Sequence, residues 1–289
     1  MSSDPGAGTT LVAAVVDLKR VRFAGVSVAD RGFARAWASL EAGEDVGDVA
    51  LREAALALAA TQLGAMGEGV LVDAGLSRGE AATVLAGAVR AAGGSEEHAA
   101  AVTADWSGGG RPPAFVARMA ASPRAGVTAP GRPRYVLEPA ESHAEHCWAV
   151  AVLAVLLAEE PGARAEAFLC GLAHHLHNAW LPDAGFAGEV ALGEHLEPVV
   201  AGLRARGLAL LDAPCLADAA GSAVALTTHA DTPAARAFNT ADVLDRVLEL
   251  RFHERAAAFT VREAVEDYEI VHAGPLQAFG MGVLREWGL

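Results

Sequence analysis

The hydrophobic and polar positions of this chain follow a helical rhythm almost throughout. From Asp48 to about Met66, Leu51, Ala55, Leu58 and Leu63 recur at helical spacing and predict a helix. Ser77-Arg78-Gly79-Glu80 has the form of a capping box and opens a helix that runs to Gly93-Gly94. Ser95-Glu96-Glu97 opens another. Residues 10–30 are β-branched and partly alternating, with a break at Lys19-Arg20. They predict either a hairpin or a short helix and a strand. After about Tyr135 the pattern is helical nearly to the last residue. The candidate helices are 141–159, 162–178, 187–206, 215–229, 233–252 and 256–268, with a shorter one near 275–287.

Two stretches interrupt this rhythm. SGGGRPP (107–113) and SPRAGVTAPGRPR (122–134) are rich in Gly, Pro and Arg, as a linker or long surface loop is. They divide the chain into an Ala-rich helical region (1–120), a linker (121–135) and a larger helical domain (136–289). No internal repeat is evident. The fold class expected is mostly α.

Composition narrows the function. The chain has 289 residues, enough for one large domain or two small ones without covalent staples. Its net charge of −14 argues against a nucleic-acid footprint or an anionic membrane surface. A small anionic substrate stays open, because a bound metal reverses the field locally. Cys147, Cys170 and Cys215 do not make a disulfide framework and suit a reducing compartment. MSSDPGAGTT lacks the basic start of a signal peptide, and apolar runs such as 148–158 are too short to span a bilayer. A cytoplasmic protein is expected. The acidic surface and the Ala-rich first third allow a homodimer without specifying one. Lys19 is the only lysine. That excludes a P-loop and leaves no Schiff-base lysine to be expected in a folded pocket.

The histidines carry the candidate chemistry. Seven of the 10 lie between 143 and 229. His143 and His146 open one predicted helix, and His174, His175 and His177 close the next. His195 and His229 follow on later helices, and Asp242 and Asp245 lie one turn apart on another. Val150, Leu153 and Leu157 continue the face of His146, so that imidazole points inward. Imidazoles and carboxylates meeting at one end of a helical bundle form a candidate metal site.

At this point the sequence resembles the HD-domain superfamily. Glu145-His146 followed by CWAVAVLA is similar to the family's opening EHxxxVA-like helix, LCGLAHHLHNA (169–179) to its LLHD helix, and TADVLDR (240–246) to its late ADxLD helix. The likeness covers about residues 135–255. It implies an HD-domain-like helical bundle with a smaller helical N-terminal region. It also implies His146, His174 and Asp242 as metal ligands. Most members are metal-dependent phosphohydrolases, acting on nucleotides or other phosphate esters. A minority are diiron oxygenases, which add two histidines between the doublet and the last Asp; His195 and His229 stand in that interval. The doublet itself departs from the pattern, because His175 replaces the family's Asp. A carboxylate bridges two cations, whereas a neutral imidazole normally binds one. A mononuclear site of His146, His174, His175 and Asp242 is the reading this leaves, with Asp183 as a substitute carboxylate.

Three functions follow. The first is a phosphohydrolase holding Mn, Fe, Zn, Co or Mg and acting on a small anionic substrate. In it His177, Asp183 or Asp245 handles a proton and an Arg clamps the phosphate. The second is an HD-type diiron oxygenase, which requires His195 and His229 to converge with His146. The third is a catalytically degenerate binding or regulatory module. Other features have plainer readings. Gly75-Leu-Ser-Arg-Gly79 fits the nucleophile elbow, but the capping box accounts for Ser77 and Glu80 without a parallel sheet. His98, His253 and His272 read as surface or satisfied residues, His143 as an N-terminal residue of its helix.

Overall fold

The structure, a computed structural model, describes residues 5–104 and 110–256, with Ala278 and Met281 beyond them. Its contacts divide the chain into one compact unit over 1–248 and a second over 249–289. The site lies in the first.

Among the described residues the fold is helical, with one two-stranded sheet. The ambiguous segment 10–30 resolves into both of its options. Helix α1 (Pro5–Asp17) is followed by a hairpin of β1 (Arg22–Phe23) and β2 (Val26–Ser27), paired antiparallel. Ser27 then caps α2 (Val28–Glu41) by accepting from Asp30 N. The predicted helix at 48–66 is α3 (Val46–Leu63), started by Asp45. Helices α4 (Glu68–Asp73), α5 (Arg78–Ala91) and α6 (Glu96–Ala101) follow. Both arms of the Ser77–Glu80 capping box form, and Ser77 is exposed, as its capping role requires.

The second half begins with α7 (Ala114–Ala121), then α8 (His143–Leu157) and α9 (Pro161–Ala173), which ends in a 3₁₀ turn over Leu176–Ala179. The stretch predicted as one helix at 187–206 is broken by a 3₁₀ turn into α10 (Gly185–Leu192) and α11 (Leu196–Leu208). Helix α12 (Pro214–Ala223) runs into a second 3₁₀ turn, and α13 spans Pro233–Ala256. The helices expected over 256–268 and 275–287, and His272, fall almost wholly outside the described residues.

Helix α8 is the axis of the core. Every residue from His143 to Val155 is buried, which matches a sequence apolar on all faces. It packs against α1, α2, α3, α7 and α9. Contact with α9 is backbone-close: a Cβ on Gly171 would sit 2.4 Å from Ala151 Cα. In α13, Ala234, Phe238, Ala241, Asp245 and Leu248 form a buried stripe, so Asp245 is drawn onto the apolar face.

The expected linker at 121–135 is not a spacer. Its first residues run antiparallel beside the start of α8. His143 N donates to Ser122 O, and Arg124 N donates to Glu141 O. This ladder carries Arg124 to the histidines. No described helix is long and apolar enough to cross a membrane.

Candidate metal centre

Four histidines meet where the N-terminus of α8 faces the C-terminus of α9. Ser142 caps α8 in a capping box with Glu145, and Ser142 Oγ also donates to Asp30 Oδ1 on α2. That fixes His143 and His146 on the first turn. His174 is the C-cap of α9, and His175 starts the 3₁₀ turn after it. The neighbouring ring centroids are 5.2 Å apart for His146–His174 and His146–His175, 4.3 Å for His174–His175 and 5.3 Å for His143–His175.

The partners of each Nδ1 assign the tautomers. His174 Nδ1 faces Gly171 O at 2.8 Å, and His143 Nδ1 faces Ser122 O at 3.0 Å. A carbonyl only accepts, so both Nδ1 atoms carry the proton. Asn178 Nδ2 donates to Leu181 O, which turns its Oδ1 toward His175 Nδ1 at 3.0 Å; that nitrogen also donates. His146 Nδ1 donates to Asp245 Oδ2 at 2.8 Å. Burial pushes all four pKa values down, to about 4 for His143 and His174 and well below the usual range for His146 and His175; the Arg124 guanidinium adds to the shift. Each ring is therefore neutral with its proton on Nδ1, and each Nε2 is an acceptor; that of His175 is met by Arg124 NH1 at 3.3 Å.

Those lone pairs converge. His146 Nε2 lies 3.2 Å from His174 Nε2 and 3.5 Å from Asp242 Oδ1. Asp242 Oδ2, the other oxygen of that carboxylate, accepts from Arg246 NH2. Ligand atoms of a tetrahedral ion with bonds of about 2.0–2.1 Å lie roughly 3.4 Å apart, close to both spacings. His146, His174 and His175 form a group able to hold a metal ion, each offering an atom within 4.8 Å of the others. Asp245 behind His146, Gly171 O behind His174 and Asn178 behind His175 supply the outer partners that orient ligating imidazoles.

A second such group, Glu141, His146 and Asp245, already has its cation. Lys19 Nζ donates to Glu141 Oε2 at 2.7 Å and to Asp245 Oδ1 at 2.8 Å. No lysine was expected in a folded pocket from the sequence, yet Lys19 is 2% exposed. Two carboxylates hold it as an ammonium ion, the form unsuited to a Schiff base.

The other candidates fall differently. Asp245 is fully buried between Lys19 and His146, so it orients the His146 ring and does not meet solvent. Asp183 accepts from Ala125 N and Gly185 N and stands 3.7 Å from His143 Nε2. His177 is half-buried with Nδ1 unpartnered, and burial pushes its pKa down to about 4. His195 and His229 do not join the cluster. His195 is exposed in a polar turn, and His229, at the end of its 3₁₀ turn, pairs with Asp231 at 2.5 Å. Their assignment as ligands is corrected accordingly: local polarity keeps the one in solvent, and the other has an adjacent carboxylate. His98 closes a capping box with Ser95, and His253 pairs with Glu249. Burial raises the Cys147 and Cys170 thiols far above their usual range, which leaves neither as a nucleophile.

Arg124 and Lys19 are the site residues that sequence reasoning missed. Both arrive through contacts between segments far apart in the chain. A separate cavity of about 220 Å³ between α2, α3 and α4 has Arg31 and Arg35 on its wall, each already bonded to other protein groups.

Compared with known proteins, the chain matches no family model, no curated protein and no solved structure.

Proposed function

We propose that the protein is a metal-dependent phosphohydrolase of HD type, acting on a small phosphorylated molecule. One observation carries the reading: His146, His174 and His175 bring ring nitrogens within 4.8 Å of one another, and His146 Nε2 lies 3.2 Å from His174 Nε2 and 3.5 Å from Asp242 Oδ1. Converging lone pairs repel unless a cation sits among them. The ligands also come in the order and on the helices that the HD resemblance implies.

In this reading His146, His174 and Asp242 hold one divalent ion, with His175 beside them. A bound divalent ion supplies a water of lowered pKa and polarises a phosphoryl oxygen. Asp245, anchored by Lys19, keeps His146 in the tautomer that ligates. His177 handles a proton through its unpartnered Nδ1. The diiron alternative loses support, since its two extra histidines stand elsewhere. A catalytically silent binding module is the second reading. It is favoured by one contact, Arg124 NH1 on His175 Nε2 at 3.3 Å, which engages a lone pair otherwise open to metal.

The test is phosphate release from a panel of phosphomonoesters and nucleotides by chelator-stripped protein reloaded with Mn, Co, Zn, Mg or Fe. Metal-dependent release, absent in His174→Ala, is the expected result. Metal uptake without turnover of any member overturns hydrolysis and leaves the binding module. Oxygen consumption by the iron form returns the oxygenase.

A further inference from the structure

The doublet position that departs from the HD pattern has an unusual neighbour. Arg124 lies beside the cluster with its side chain 18% exposed. Its NH1 is 3.3 Å from His175 Nε2, and its Nε is 3.7 Å from Glu141 Oε1 and 3.9 Å from Asp183 Oδ2. Next to it, His143 Nε2 is buried, lacks any hydrogen-bond partner and faces Asp183 Oδ2 at 3.7 Å. One imidazole lone pair and two carboxylates thus lie around the guanidinium. Burial opposes the charge on Arg124, but Glu141, Asp183, Asp245 and Asp242 outweigh it and raise its pKa. It is a permanent cation.

Among the described residues only one of the five guanidinium N–H donors has a partner within hydrogen-bond distance, and that partner is a neutral imidazole. The two carboxylates stand beyond normal charge-assisted contact, which is about 2.7–2.9 Å. The remaining donors are available at the edge of the metal cluster. A planar guanidinium with spare donors fits the oxygens of a phosphoryl group, in one or two parallel bonds.

Building on the one-metal reading above, we propose that Arg124 is a built-in second cation. It stands beside a single metal ion, and its free donors hold the phosphoryl oxygens of the substrate. This accounts for His175. A carboxylate in that position bridges two ions; a neutral imidazole against a guanidinium has no second ion to bridge. It also accounts for Glu141 and Asp183, which stand 3.7 and 3.9 Å from the guanidinium.

The test measures metal equivalents and inorganic-phosphate affinity on full-length protein, for wild type, Arg124→Met and Arg124→Lys. Wild type is expected to take about one equivalent of Mn(II) or Zn(II) and to bind phosphate when loaded. Arg124→Met is expected to keep the His146–His174 ion and to lose phosphate affinity by about tenfold or more. Arg124→Lys keeps the charge without the fork. It is expected to fold, to stay at one equivalent and to weaken phosphate binding less. Two equivalents in wild type, or unchanged phosphate binding in both variants at full metal load, overturns the role of Arg124 alone. Absence of metal from all three proteins overturns the phosphohydrolase reading and this inference with it.

Discussion

Helix α8 passes through two buried polar networks, and they are built on opposite rules. One turn into the helix, Trp148 Nε1 donates to Glu53 Oε2 at 2.9 Å. Arg35 grips both oxygens of the same carboxylate at 2.7 Å through Nε and NH2. Both oxygens of Glu53 accept from donors there, and its charge, fully buried, is met by a guanidinium. At the helix start, His146, His174 and Asp242 turn acceptors toward acceptors. A satisfied buried network is a structural joint; a buried set of converging lone pairs is a binding site. The contrast separates the part of α8 that holds α2 and α3 in place from the part available for chemistry.

The sharpest way to break this comparison is Glu53→Ala. It leaves Arg35 and Trp148 Nε1 without their acceptor. The expected loss is about 3–5 kcal/mol of unfolding free energy in denaturant titration, with metal equivalents per folded molecule unchanged. A mild effect would place this network among ornamental surface pairs.

The metal end is expected to behave in the reverse way. Adding the correct metal at about 100 times its Kd should raise the unfolding free energy by about 2.7 kcal/mol. His146→Ala should abolish that increment. Asp245→Asn, which removes the carboxylate charge behind His146 Nδ1, should weaken metal affinity by about 10–100-fold. Equal metal affinity in Asp245→Asn and wild type would contradict the orienting role.

Acid provides the next comparison. His143, His174 and His177 fall from an ordinary 6.5 to about 4 because they are buried. Folding thus keeps them neutral, while the unfolded chain protonates them. Unfolding takes up protons between about pH 6.5 and 4, so stability is full above 6.5 and falls as pH drops through that window. Chelated protein followed by denaturant titration at several pH values should show this slope, and a flat profile would contradict the neutral assignment.

The smallest expected effect belongs to Ser77→Ala. Loss of its cap should cost about 1 kcal/mol of unfolding free energy and leave metal uptake and any activity of the protein untouched. Loss of all activity with the fold intact would revive the nucleophile-elbow reading.

Much of this was legible in the sequence because it is local. The capping box at Ser77, the period of α3 and the inward face of His146 depend on residues three or four apart. The buried positions of His146 and His174 agree with the inward helix faces read for them. What escaped was carried by long-range pairing. Lys19 reaches Asp245 across 226 residues of chain, and Arg124 owes its position to a two-residue ladder with the start of α8. A lone lysine and a Pro/Gly/Arg-rich stretch read by composition as surface, since charges are rarely buried unless paired, and the pairs cannot be seen in periodicity. Asp245 looked like a proton carrier for the same reason: its spacing from Asp242 shows a shared face, not the ammonium ion waiting there.

The most direct measurement is elemental metal content of tag-free protein purified without chelator, beside His174→Ala. About one equivalent of a divalent transition metal in wild type, lost in the variant, is the expected result. Wild-type protein that holds no metal, even after reconstitution with manganese, zinc, cobalt, magnesium and iron, would contradict the claim that these converging lone pairs form a metal centre.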